Sequence, residues 1–264
     1  MRSDPLLESF HRQIRLPDRD AEAGFVVERD GLVHRHYPPD PAQRGAMIES
    51  PEGLGDDPDA VIAAQRDFFA RRGQPVEWKT YSYDQPADLG SRLTAAGFEG
   101  QEVEALVLGD LLVLADLDQS VPEGLRLRAI VASDLPAVAA FNESVWGTDK
   151  SWVTGKHFEE LAADPAHVQG CLVERVDDGL VVTASWVRLT RETDFCGLWG
   201  GSTLPEFRRR GLYRAGVGYR ARLALARGAR HVRVDASPNS RPILQRLGLR
   251  QVATTTPYVL DPAT

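Results

Sequence analysis

The sequence predicts an α/β chain in which mixed β-sheets are flanked by helices, and three observations predict it. First, Asp194 to Thr203 reads as a strand, Leu212 to Arg227 as an amphipathic helix and His231 to Ala236 as a second strand, which together make a parallel βαβ unit. Second, a helix from Pro58 to Gly73, a strand from Val76 to Tyr83, a helix from Pro86 to Ala96 and a stop at Gly97-Phe98 echo Leu212 to Leu249. Gly97 stands where Gly248 stands, so the first half reads as a diverged internal repeat of the second. Third, 264 residues with 42% apolar content can fill two cores, as two small domains or as one fused sheet.

Taken in order, the elements have local causes. His34 and His36 alternate on a strand; without cysteine or carboxylate company they read as packing residues, and no metal is expected. The polar stretch Gln119 to Gly124 is the candidate linker. Leu125 to Ile130 is a strand, Ser133-Asp134 offers an N-cap for a helix from Leu135 to Val145, and a second helix lies near His157 to Ala163. Gly170 to Arg175 and Leu180 to Leu189 flank Asp177-Asp178-Gly179, an Asp-Gly hairpin signal. The paired glycines Gly200-Gly201 mark a bulge or a close backbone approach. Arg227 in the last helical turn and Gly228 beyond it stop the next helix, and the loop Ser237-Pro238-Asn239 leads to a short helix ending at Leu247-Gly248.

Between strand and helix lies the most informative segment, Pro205-Glu206-Phe207-Arg208-Arg209-Arg210-Gly211-Leu212-Tyr213-Arg214-Ala215. The first N–H groups of a helix have no intrahelical partner and the macrodipole makes that end positive, so such a turn receives an anion. Gly211 permits close backbone approach, and the arginines add charge-assisted hydrogen bonds. The net charge of −7 argues against a nucleic-acid partner, so a small phosphorylated cofactor fits better than a polyanion. Cys171 and Cys196 are too few for a disulfide framework and are expected as buried thiols on adjacent strands. No run of some twenty apolar residues occurs, and Met1-Arg2-Ser3-Asp4-Pro5 opens no signal peptide, so a cytoplasmic protein without membrane partners is expected. Trp146, Trp152, Trp186 and Trp199 suit core or pocket walls, Trp186 and Trp199 being the candidates to line a substrate cavity.

The motif Arg208-x-x-Gly211-x-Tyr213, after a strand and Pro205, resembles the acyl-CoA signature of the GCN5-related N-acetyltransferases, with Tyr213 departing from the usual Gly or Ala. Asp235 to Leu249 is similar to that family's closing strand, helix and glycine turn, and the resemblance covers Leu125 to Leu260. Together with the internal repeat it implies two acetyltransferase-like modules: residues 1–120, degenerate and structural or substrate-shaping, and residues 121–264, which bind acetyl-CoA. It further implies transfer of the acetyl group to an amine of a small molecule by direct attack. Gly201, Ser202 and Thr203 would hold the pantetheine arm and polarise the carbonyl. Arg208, Arg209, Arg210, Gly211, Leu212, Tyr213 and Arg214 would cradle the pyrophosphate, mostly through main-chain N–H groups. Many members protonate the leaving thiolate with a tyrosine, and the matching position here is Leu244. Tyr258 or a water could serve instead, or the thiolate leaves unaided. Base candidates are Glu174, Asp194 and Asp235, and the alternative reading is a non-catalytic acyl-CoA-binding regulatory module.

Overall fold

The computed structural model describes residues 4–17, 24–147 and 151–262, with the backbone alone at 151–154 and 156. Helix α1 (Pro5–Phe10) starts at Asp4, whose carboxylate accepts from the Leu6 N–H at 2.9 Å, and runs on into a wider π-type turn over His11–Arg15. Then follow β1 (Val26–Asp30), β2 (Val33–Tyr37), β3 (Ala46–Glu49), α2 (Pro58–Arg72), β4 (Val76–Tyr81), α3 (Leu89–Ala95), β5 (Glu99–Gly100) and β6 (Glu104–Asp110). The chain continues with α4 (Leu111–Ala115), β7 (Leu125–Ala129), α5 (Leu135–Trp146), α6 (Ser151–Ala163), β8 (Val168–Arg175), β9 (Val181–Leu189) and β10 (Phe195–Thr203). Helix α7 (Leu212–Leu225), β11 (His231–Ala236), α8 (Arg241–Arg246) and β12 (Arg250–Leu260) complete it.

These elements gather into two compact units that are not contiguous in sequence. One comprises residues 1–107, 235–245 and 250–264, the other 108–234 and 246–249. In the first unit the strands run β1-β2-β3-β4-β12, with β5 also against β12. β3 and β4 are parallel and joined through α2, whereas β12 lies antiparallel to β4 from Val76↔Leu260 to Tyr81↔Thr255. The last strand of the chain thus completes the sheet of its first half, a pairing between residues more than 170 positions apart at Thr80 Oγ1 and Thr256 O (2.9 Å). The core beneath is Ile48, Ile62, Phe69, Trp78, Leu93 and Phe98. In the second unit the order is β11-β10-β9-β8-β7, antiparallel except that β10 and β11 are parallel and joined through α7. One face carries α5 and α6 over Val138, Phe141, Phe158, Leu172 and Trp186.

Each unit contains a parallel crossover, β3-α2-β4 in the first and β10-α7-β11 in the second, and α2 ends at Gly73 in the left-handed conformation (φ 59°) as expected of a glycine C-cap. Several boundaries differ. The strand predicted to reach Tyr83 stops at Tyr81, because Asp84 turns the chain: its Oδ2 accepts from the Tyr81 N–H and its own N–H donates to the Tyr81 carbonyl, both at 2.9 Å. The helix predicted from Pro86 accordingly begins at Leu89. Cys171 and Cys196 are buried as predicted but not on adjacent strands: they lie on β8 and β10, and β9 runs between them. His36 stacks on Phe25 with ring centroids 4.5 Å apart, a packing role. Among the described residues no helix is long and apolar enough to cross a membrane.

Arg15 is 1% exposed, with a bidentate pair to Asp84 (2.6 and 3.1 Å) and its guanidinium 4.0 Å from the centre of the Tyr81 ring. Removing one partner of such a pair strands a desolvated charge. Asp84→Ala is therefore expected to lower stability by about 3 kcal/mol in urea denaturation, with Asp84→Asn costing less because it keeps an acceptor for Arg15.

Candidate functional site

The candidate site starts where β10 and β11 stop pairing. Three residue pairs join them, Phe195↔His231, Cys196↔Val232 and Gly197↔Arg233, and beyond Gly197 strand β10 runs on for six residues to Thr203. On its other edge β10 follows β9, with the register shifting between Trp199 and Ser202, so the predicted bulge is present at Gly200-Gly201. Gly200 has φ +62°, a conformation that an L side chain adopts only with strain. Behind the bulge, the Arg220 guanidinium donates to the carbonyls of Trp186 (2.9 Å), Trp199 (3.4 Å) and Gly216 (3.0 Å).

The turn after β10 is anchored by apolar contacts. Leu204 and Phe207 pack against Val173, Val182 and Leu212, and the buried Leu212 fixes the first turn of α7. Arg208 is tied back to the strand, its Nε donating to Thr203 O at 3.1 Å. Thr203 is held sideways by Thr183, hydroxyl to hydroxyl at 3.1 Å. Arg209 (φ 62°) and Gly211 (φ 80°) both take positive φ. Gly211 is the N-cap of α7 and, having no side chain, makes no cap hydrogen bond to that helix end. Arg208, Arg209, Arg210 and Arg214 are exposed and form no salt bridge among the described residues, although Arg210 lies over the Phe207 ring at 5.1 Å. Tyr213 turns its ring onto Gly201: a Cβ on Gly201 would stand 2.8 Å from the ring, so glycine is required there and the tyrosine is accommodated away from the helix end.

The predicted cofactor residues Gly201 to Thr203 and Arg208 to Arg214 lie on the end of β10, the turn after it and the first turn of α7, with Leu212 buried among them. The equivalent end of α2 in the first unit differs in kind. There Asp57 caps the helix, its Oδ1 accepting from the Ala60 N–H at 3.1 Å, and Asp59 follows in the first turn. A carboxylate already occupies the place an anion would take.

The candidate acid and bases are found in engaged positions. Glu174 on β8 accepts from Arg126 (2.5 Å) and Arg128 (2.8 Å), and hydrogen bonding to Arg128 above all holds its carboxyl below the usual range. Asp235 pairs with Lys79 at 2.8 Å. Asp194 accepts backbone hydrogen bonds at its carbonyl from Arg230 and His231, each 2.8 Å. Tyr258, on β12, packs its ring against Gly100 and its hydroxyl against Gly90 in the first unit. Leu244 is fully buried. Trp186, predicted as a cavity wall, is 1% exposed and stacks on His157 with centroids 5.1 Å apart, which makes it core; Trp199 is half-buried where the strands part. The side chain of Trp152, also predicted as a core or pocket wall, lies outside the described residues. Arg188, Arg220 and Arg233 were not singled out from the sequence; their only signal is a charged residue inside a strand or an otherwise apolar helix face.

No protein-family model and no curated protein sequence matches the chain. Solved structures do match. A GCN5-related N-acetyltransferase from Kribbella flavida is 19% identical with a TM-score of 0.67, covering 96% of this chain and 92% of that one. A tandem GNAT protein from the clavulanic acid biosynthesis pathway is 13% identical with a TM-score of 0.63, over 97% and 94% of the two chains. A GCN5-related N-acetyltransferase from Sphaerobacter thermophilus, 14% identical, has a TM-score of 0.63 over 88% and 77%. The chain therefore has the fold of the GCN5-related N-acetyltransferases, and it has that fold over nearly its whole length.

The Arg128–Glu174 pair has a pH signature. Because the folded-state pKa of Glu174 is depressed, the pair contributes stability above the ordinary value of 4.5 and loses it as pH falls below that value. Denaturation midpoints measured from pH 6 down to pH 3 are expected to fall less steeply for Glu174→Gln than for the natural chain.

Proposed function

We propose that the chain is an N-acetyltransferase that moves the acetyl group of acetyl-CoA to an amine of a small molecule. The observation that carries this reading is the parting of β10 from β11 at Gly197↔Arg233, followed directly by an uncapped, arginine-rich end of α7. The parted edge of β10 offers main-chain groups to an extended pantetheine arm, and the α7 end with Arg208 to Arg214 offers N–H groups and positive charge to a diphosphate. Residues 121–264 are the working module and residues 1–120 the degenerate one, a division supported by Asp57 capping α2.

The reaction follows from this placement. The free amine attacks the thioester carbonyl carbon, the C–N bond forms, the C–S bond breaks, the amine loses one proton and the CoA thiolate gains one. Amide groups of Gly201 to Thr203 stabilise the oxyanion, and the turn holds donor and acceptor in contact. Leu244 and the paired Glu174 and Asp235 favour departure of the thiolate without a dedicated protein acid, since a CoA thiol is acidic enough to leave as thiolate. The same three residues favour the second reading, an acyl-CoA-binding regulatory module without turnover.

Isothermal titration is expected to give an acetyl-CoA dissociation constant below the millimolar range. Gly201→Leu, which drives a side chain into the Tyr213 ring, should weaken binding by about tenfold or more. No binding by the natural chain at millimolar acetyl-CoA would end the proposal. Thiol release in the presence of an amine panel separates the two readings, since the regulatory module binds without releasing CoA.

A further inference from the structure

Where β10 and β11 part, the face that carries α5 and α6 holds a group of cationic and aromatic side chains that the cofactor surface does not use. Trp199 follows Gly197 on this face by two residues, and Gly197 makes room for it: a Cβ there would lie 2.6 Å from the indole Nε1. That Nε1 is buried and has no hydrogen-bond partner. The guanidinium carbons of Arg188 and Arg233 lie 5.6 and 5.8 Å from the Trp199 ring centre, within cation–π range. Arg188 is neutralised by Glu160 of α6. Arg233 is not neutralised: it is partly buried, its Nε has no acceptor, and it forms no salt bridge among the described residues. Glu160 spends one carboxylate oxygen on Arg188, and its Oε1 is buried without a partner.

A partly desolvated guanidinium without an anion, beside an indole N–H without an acceptor, is costly unless a ligand supplies what both lack. We propose that this group is the acceptor subsite and that the acceptor is an amino acid or a similar amine bearing a carboxylate, which Arg233 and the Trp199 N–H receive. The free Glu160 oxygen is left to accept from the amine end. This inference rests on the acetyltransferase reading for its reaction, and on Arg233 and Trp199 for its specificity. Phosphate-bearing amines share the anionic chemistry, but a planar carboxylate matches one guanidinium fork with both oxygens.

The test is thiol release from acetyl-CoA with the twenty standard L-amino acids, each set against its decarboxylated amine. At least one amino acid is expected to exceed its amine by about 10- to 100-fold in kcat/KM, the worth of a charge-assisted pair. Arg233→Gln should remove most of that ratio and Arg233→Lys restore part of it, with the acetyl-CoA dissociation constant holding near its natural value as the check on folding. Amines that outperform their amino acids, or a ratio untouched by Arg233→Gln, would overturn the inference while leaving the acetyltransferase reading intact. If acetyl-CoA binds but nothing turns over, saturation-transfer NMR with the same panel decides. Amino-acid binding lost in Arg233→Gln upholds the subsite without the enzyme, and no amino-acid binding overturns it.

Discussion

Arg220 is 1% exposed and has no carboxylate partner among its hydrogen bonds, yet it joins three elements through their carbonyls: Trp186 of β9, Trp199 of β10 and Gly216 of its own helix α7. A bulge leaves strand carbonyls without ladder partners, and a buried carbonyl without a donor is unstable. The guanidinium answers that need with several donors in a rigid fork. It also fixes where α7 stands relative to the bulged strand. The joint lies beside the point where β10 and β11 part and holds the backbone of Trp199. Lysine, with a single ammonium, cannot span the three carbonyls in the same way.

The two units show how one supersecondary plan can be kept for different ends. Both contain a parallel strand pair joined by a helix, and both end that helix near a glycine with positive φ, Gly73 and Gly228. They diverge at the other end of the helix, where chemistry is decided. Asp57 supplies α2 with a built-in anion, which stabilises the helix by roughly 1 kcal/mol. Gly211 supplies α7 with nothing, so that end stays available at some expense in helix stability.

The helices and turns on which this contrast rests were legible in the sequence because turn chemistry is local, although Asp57 as a cap was not. The Arg208-x-x-Gly211 turn, the Asp177 to Gly179 hairpin, and the helices around Pro58 and Leu212 each depend on residues within one or two turns of chain. What was not legible depends on pairing at long range. Nothing near Arg250 to Leu260 says that it will lie against Val76 to Tyr81, and the linker expected at Gln119 to Gly124 assumed contiguous modules, while the compact units divide near residue 107 and again near 234 and 250. The separation of Cys171 from Cys196 by β9 is of the same kind. The candidate bases failed to stand out for a related reason: whether Glu174 is a free carboxylate or a partner for Arg126 and Arg128 is settled by the β7–β8 register, which places Arg126 opposite Glu174.

On the acetyltransferase reading proposed above, the transfer needs a neutral amine, and the surroundings of Trp199 bear on how one could arise. Positive charge close to an ammonium lowers its pKa, because both states of the amine are bound but only one is repelled. In the proposed subsite Arg233 would supply that positive charge, while the anchoring carboxylate and the free Glu160 oxygen at the amine end would offset it. On the leaving side the same positive potential, continued by Arg208 to Arg214 along the turn, favours a thiolate over a thiol. On that reading, proton management would draw on the field of the arginines together with Glu160 at the amine end, and the leaving thiolate would need no single protein acid.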